Sequence, residues 1–320
     1  MLNRRQLLAC TTAITALAAL PVRAQSAPAV DLFVPADPGG GWDQTARLME
    51  QVLLSEDLIS GATVTNVGGA GGTVGLPQFA SRFDGQGNAL MLGGMVMVGA
   101  IIANNSPVTL ANVTPIARLT GEFLALVVPA ASPFQTVGDF VDALKADAAA
   151  VPVAGGSAGG SDHILLGLIG QSIGVSAANM NYVPFAGGGE ALASLLGNQV
   201  AAGISGYGEF AEQVTAGTLR ILAISSGERQ EGIDAPTLKE QGVDVELFNW
   251  RGVFGPPNMS DGDKAALVAM VEAMAGSEAW AQECAARNWT RITLTGEAFE
   301  TFLAEDIERI TAILKEIGLA

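Results

Sequence analysis

The chain of 320 residues predicts an α/β fold of two lobes, each a parallel sheet with flanking helices, joined by two crossover strands with a cleft between them. Three observations predict it. Short apolar strands alternate with helical segments, the pattern of right-handed crossovers between parallel strands. Four times a short strand runs into a cluster of glycines and then into a helix. Two long extended segments, Arg118–Pro129 and Leu247–Phe254, separate two such series and give the chain places to cross. On this reading 25–124 and 248–320 form lobe I, and 125–247 form lobe II.

In order, Val30–Pro35 reads as a short apolar strand that runs into Asp37-Pro38-Gly39-Gly40-Gly41 and an amphipathic helix over Trp42–Leu54. Ala62–Val67 is a second strand, followed by Gly68-Gly69-Ala70-Gly71-Gly72 and a helix near Thr73–Arg82. Ala89–Leu92 is a third, and the apolar run to Ala103 is glycine-broken, so it reads as a strand leading into a helix. Thr114–Thr120 and Leu124–Pro129 make one long extended stretch, and Val137–Asp147 is helical. Pro152–Ala154 opens into Gly155-Gly156-Ser157-Ala158-Gly159-Gly160 and a helix from Ser161. Tyr182–Pro184 leads to Gly187-Gly188-Gly189 and a helix over Glu190–Leu196. Val200–Ser205 and Leu219–Ser225 are strands. After Leu247–Phe254 the remainder is largely helical, with helices near Ser260–Ala275 and Glu297–Ile317.

Composition narrows the function. Hydrophobic residues make up 49% and charged residues 15%, ample for a packed core. A net charge of −16 repels phosphate backbones and anionic lipid, which argues against nucleic acid as a partner. One histidine, His163, and two cysteines, Cys10 and Cys284, exclude a His- or Cys-rich zinc site, and no metal or cofactor is expected.

Residues 1–24 read as a secretory signal: Arg4-Arg5, an apolar run Leu7–Leu20, then Val22-Arg23-Ala24 before a cleavage point at Gln25. Leu7-Leu8-Ala9-Cys10 resembles a lipoprotein box, but most of the apolar run follows Cys10. Loss of the leader removes Arg4, Arg5 and Arg23 and no acid, so the net charge falls from −16 to −19. Cys284 is then the one cysteine left, expected as a small core hydrophobe. An exported chain without a disulfide fits a bacterial periplasm.

The glycine clusters carry the chemistry. At the carboxyl ends of strands in an open α/β sheet, such loops lie where ligands bind. The helix start that follows offers unpaired N–H groups and a partial positive charge, an anion site without lysine or arginine. A competing motif is Gly155-Gly156-Ser157-Ala158-Gly159, which matches the G-x-S-x-G turn of serine hydrolases. Its only possible base, His163, lies six residues on, beside Asp162. Gly69–Gly75 misses the dinucleotide spacing by one residue.

Several motifs together resemble the periplasmic receptors of tripartite tricarboxylate transporters: Pro35–Asp43 with its Gly-Gly-Gly-Trp-Asp, Gly68–Gly75, Thr114–Arg118, Gly155–His163 with Ser-Asp-His, Gly187–Ala191 and Asn249–Gly252. The resemblance covers essentially the whole mature chain and looks closest to the tricarboxylate-binding branch. It implies a periplasmic-binding-protein, or Venus-flytrap, fold and no catalysis. It implies a carboxylate, such as citrate or a related acid, held by loop 37–43 of one lobe and loop 185–190 of the other through main-chain N–H groups and bridging waters. A large and a small integral membrane subunit would be the partners of a monomeric receptor. A serine hydrolase and a sensor feeding a signalling partner are the alternatives.

The candidate ligand contacts are Gly39, Gly40 and Gly41 with Gly187, Gly188 and Gly189 as backbone donors. Pro38, Phe185 and Glu190 accompany them in the same loops, and Gly71 and Gly72 in the glycine cluster after the second strand are further candidates. Trp42 would wall the pocket or join the core. Asp43 would fix its loop, cap a helix, or receive a ligand hydroxyl or water. Ser157 and His163 could donate to a second carboxylate. Arg118 and Arg251, on the crossover strands, are expected to pair with buried acids.

Overall fold

The computed structural model describes residues 27–185 and 188–320. The expected leader and Gly187 lie outside these residues. Lobe I opens with β1 (Ala29–Val34), α1 (Gly41–Ser55), β2 (Gly61–Asn66), α2 (Gly75–Arg82), β3 (Ala89–Gly94) and α3 (Met95–Ala103). The long β4 (Thr114–Pro129) leads to α4 (Val137–Asp147), β5 (Pro152–Gly155), α5 (Ser161–Ile173), β6 (Asn181–Pro184), α6 (Gly188–Leu196), β7 (Ala202–Gly206), α7 (Tyr207–Thr215) and β8 (Leu219–Ile224). The chain returns through β9 (Phe248–Gly255) and ends in α8 (Asp261–Gly276), α9 (Glu278–Ala286), β10 (Thr290–Thr295) and α10 (Gly296–Glu316).

The two lobes repeat one topology. In lobe I, β1 lies between β2 and β3 in parallel, and β9 runs antiparallel beside β3. In lobe II, β5 lies between β6 and β7 in parallel, and β4 runs antiparallel beside β7. A strand order of 2-1-3 places the loop after the first strand at the point where the order reverses, the ligand position of open α/β sheets. The loops after β1 and β5 therefore hold equivalent places.

The centre of the molecule departs from the all-parallel expectation. Strand β4 is antiparallel to every partner: β9 and β10 along its first part, β7 and β8 along its second. The cause is connectivity, because a chain that crosses between lobes and returns must run both ways. Its pairing with β9 ends at Phe123 and its pairing with β7 begins at Leu124. Ser225 fastens this junction. Its N–H bonds Leu124 O at 2.9 Å and its hydroxyl donates to Leu247 O at 2.6 Å, while Leu124 N–H donates to that hydroxyl at 2.9 Å.

Three elements are absent from the sequence reading. Helix α7 begins with Tyr207-Gly208, and the glycine hides its start. Helix α9 and strand β10 fall in the segment read as largely helical. The alternation Thr290-Arg291-Ile292-Thr293-Leu294-Thr295 is nevertheless a strand pattern. Cys284 is buried in α9, as expected of a core thiol. No helix among the described residues is long and apolar enough to cross a membrane.

Candidate functional site

A cleft of about 750 Å³ separates the lobes. Its lobe I wall is the loop from Ala36 into α1. Gly39 has φ +87° and donates its N–H to Asp43 Oδ2 at 2.9 Å. Gly40 is the extended residue before α1, and no side chain caps the helix start. The first-turn N–H groups have no partner within the helix. Asp43 is buried, which alone would raise its pKa, but the Gly39 N–H, the Asn66 amide at 3.0 Å and the Arg47 guanidinium hold it below its ordinary value. Asp43 thus fixes the loop from behind. Gly39, Gly40, Gly41 and Trp42 line the cleft.

The lobe II wall is the loop from Gly156 into α5. Gly159 has φ +77° and donates to His163 Nδ1 at 3.2 Å. Gly160 is extended and α5 also begins without a side-chain cap. Asp162 reaches back to accept the Gly156 N–H at 2.7 Å and the Ser161 hydroxyl at 2.9 Å. Burial raises its pKa to about 7, with those two bonds opposing and Glu209 and Glu122 adding to the rise. Gly156, Ser157, Gly160, Ser161 and Asp162 line the cleft.

Between the walls lie Asn249 and Arg251 of β9, Glu122 of β4, and Ser205, Gly206, Gly208 and Glu209 around the start of α7. Arg251 is 7% exposed, binds Glu122 Oε2 through Nη2 at 2.5 Å, and holds its guanidinium carbon 4.6 Å from the centre of the Trp289 ring. Arg287, the other cation of the lining, pairs with Glu283. The lining therefore sets two cations, both already paired, against three acids, Glu122, Asp162 and Glu209, of which burial raises Asp162 to about 7. Among the described residues no group of three His, Cys, Asp or Glu could hold a metal ion.

Several candidates lie elsewhere. Gly71 packs against Ala100, and Gly72 packs under Met97 and the Trp42 ring, so both serve the lobe I core. The His163 ring lies flat on Tyr182, with centroids 4.1 Å apart, and does not line the cleft. Burial lowers its pKa to about 4, and its Nδ1 already accepts the Gly159 N–H, so it is ill suited as a base for Ser157. Phe185 packs on the apolar cluster of lobe II, and Pro38 is exposed. Gly188, Gly189 and Glu190 open α6. Arg118 donates to Ile292 O at 2.8 Å and lies over Phe302, beside a separate hollow of about 510 Å³. There Asp306 is held by Trp250 Nε1 at 2.7 Å and Arg309 at 2.6 Å.

Sequence reasoning missed Glu122, Glu209, Arg287 and Trp289. A signal existed for Glu122: it is the one charge in the run Leu119–Pro129, where a strand residue without a purpose would be apolar.

Two lobes of repeated topology, with an inter-lobe cleft lined by helix starts, define a solute-binding protein of the two-lobed periplasmic class. The model of the tripartite tricarboxylate transporter family receptor matches residues 46–319, and the chain belongs to that family. BugT of Bordetella pertussis is 28% identical over 312 residues, spanning 95% of this chain and 94% of its own. A crystal structure of a ligand-free TctC solute-binding protein from Polaromonas has 26% identity and a TM-score of 0.74, covering 91% of this chain and 99% of its own. The same fold appears in MatC from Rhodopseudomonas palustris with bound malate, at 22% identity and a TM-score of 0.72 over 90% of this chain and 99% of its own. It also appears in a protein solved with adipate from R. palustris, at 20% identity and a TM-score of 0.74 over 94% and 99%.

Proposed function

We propose that this receptor captures a small organic acid in the inter-lobe cleft and delivers it, unaltered, to the large and small membrane subunits of a tripartite transporter. One observation carries the reading: helix starts of α1 and α5, from opposite lobes and both without side-chain caps, face the same cleft. Each presents first-turn N–H groups and the positive end of a helix dipole. A hydrogen bond to a charged group contributes about 1.5–3 kcal/mol net. Half a dozen offset the cost of association and reach the roughly −8 kcal/mol of micromolar binding. The start of α6, with Gly187, Gly188, Gly189 and Glu190, is proposed as a further grip. The lobes meet at 124/125 and 247/248, a division supported by the change of β4 partners after Phe123. The protein works as a periplasmic monomer after cleavage near Ala24-Gln25.

The ligand class is carboxylate. Citrate belongs among the candidates by family, while the relatives solved with malate and adipate extend them to dicarboxylates. Thermal-shift measurements of the purified protein against mono-, di- and tricarboxylic acids, with and without Mg²⁺, test this. At a hundredfold excess over Kd a true ligand stabilises by about 2.7 kcal/mol, a shift of several degrees. No shift with any acid would end the proposal.

A further inference from the structure

We propose that Glu122 is a specificity-determining residue: its carboxylate fills an anion position in the cleft, between the start of α7 and Arg251, and limits the ligand to two carboxylates. The inference rests on the receptor reading above. The Glu122 side chain is 16% exposed and lines the cleft. A Cβ on Gly206 would collide with its carboxylate, and one on Gly208 would come within 3.8 Å of Oε1, so the group lies against the start of α7. That helix, like α1 and α5, has no side-chain cap. Its positive end thus faces an acid supplied by the chain itself, whereas among the described residues no acid of another element is shown against the start of α1, which has the Arg251 guanidinium beside Gly41.

Arg251 shows the same division. Nη2 is taken by Glu122, whereas the buried Nη1 has no hydrogen-bond partner among the described residues. A guanidinium presents a fork of donors to carboxylate oxygens. Half of this fork is spent on Glu122, and the other half, unpaired but buried, is left for a ligand that draws the side chain towards the cleft. One ligand carboxylate then sits on the starts of α1 and α5, and a second reaches Nη1. Among the helix starts that line this cleft, the one left for a third is that of α7, and Glu122 holds it, beside Glu209. Burial and Glu209 already raise the pKa of Glu122 against the pull of Arg251, so the site does not welcome another negative charge.

The test uses one carbon skeleton with one, two and three carboxylates: butyrate, glutarate and tricarballylate, titrated calorimetrically into the parent protein, Glu122→Ala and Glu122→Gln. The parent should bind glutarate at least tenfold more tightly than tricarballylate. Glu122→Ala frees Arg251 and should improve every acid, with the gain for tricarballylate at least tenfold larger than that for glutarate. Glu122→Gln keeps the shape and removes the charge. It should favour tricarballylate by a smaller margin, at least threefold, and it decides the matter if the alanine variant does not fold. A parent that prefers tricarballylate, or equal gains across the series, overturns the proposal. If glutarate binds without these differences, only the role of Glu122 falls. If no acid binds any of the three proteins, the receptor reading itself falls and this inference with it.

Discussion

The loop after β1 and the loop after β5 are built on one plan with different materials. In each, a glycine at positive φ precedes an extended glycine that starts the helix, and its N–H is donated to the side chain four residues on. In each, the extended glycine turns back on a carbonyl three residues earlier, Asp37 in lobe I at 3.4 Å and Ser157 in lobe II at 2.9 Å. The side chain that holds the loop is a carboxylate in lobe I, Asp43, and a neutral imidazole in lobe II, His163. Lobe II carries its acid one position earlier, at Asp162, and ties it to Gly156. Repetition of a backbone while its polar anchors change shows what the site requires. The anchor sits behind the loop in both lobes, and the amides in front stay free for a ligand.

The anchors differ most in their response to pH. Asp162, at about 7 against an ordinary 3.8, keeps a proton in the folded protein that it loses on unfolding. Its contribution is fully present below pH 3.8 and is lost as pH rises through 7. His163, at about 4 against 6.5, stays neutral when folded. Its contribution is present above pH 6.5 and is lost as pH falls towards 4. Neighbouring residues therefore oppose each other across one window. At 1.36 kcal/mol per pH unit the terms are about 4 and about 3 kcal/mol at most. Relative to the parent, Asp162→Asn should gain about 4 kcal/mol as pH rises from 4 to 7, and His163→Gln about 3 kcal/mol as pH falls from 6.5 to 4. Urea unfolding across pH reads both slopes, and a constant offset from the substitution does not alter them. Parallel pH profiles for parent and variants would show that the two loops are not anchored differently.

The loops also differ in what they touch. A Cβ on Gly39 would meet nothing within 4 Å, whereas Gly159 lies against lobe I. A Cβ on Gly99, inside α3, would collide with the Gly159 carbonyl oxygen. Glycine in a helix is ordinarily worse than alanine by about 0.5–1 kcal/mol, so Gly99→Ala should stabilise an isolated helix. Overpacking against backbone costs about 1–3 kcal/mol, and we expect that to win. Gly99→Ala should lower the unfolding midpoint and weaken binding of the acid that the thermal-shift panel identifies. A variant more stable than the parent would mean that the lobe II loop does not rest on α3.

Much of this was legible in the sequence. Helix α4 falls on the predicted Val137–Asp147, because Thr136 and Asp139 form a capping box there. Gly39, Gly40 and Gly41 of one glycine cluster and Gly156, Ser157 and Gly160 of the other do line the cleft, since a glycine cluster between strand and helix is a local signal with a local cause. The antiparallel centre was hidden, because a strand's direction depends on which distant strand it joins. Gly71 and Gly72 show the limit of the glycine argument. The sequence pattern is that of a ligand loop, but Trp42 and Met97 take the space, which is a tertiary fact. Arg251 was read correctly as a residue that pairs with an acid. The identity of that acid, Glu122, depends on the register of β4 against β9, which pairs Glu122 with Asn249 two residues from Arg251.

The smallest effect separates the two loops most cleanly. Gly39→Ala and Gly159→Ala place the same side chain at the same backbone conformation, φ +87° and +77°. The left-handed region costs an alanine about 1–2 kcal/mol wherever it occurs, so that part is common to both. At Gly39 nothing more is added, and the Asp43 anchor and the free amides of α1 are untouched. Stability should fall by about 1 kcal/mol and ligand affinity by less than threefold. At Gly159 the new methyl stands 3.3 Å from the Ala103 Cβ, so the loss should be larger and should extend to affinity. Chemical denaturation with calorimetric titration of both variants compares them directly. Equal losses would show that the lobe II loop gains nothing from its contact with lobe I. A larger loss at Gly39 would show that lobe I holds its loop by more than the Asp43 carboxylate and the amides around it.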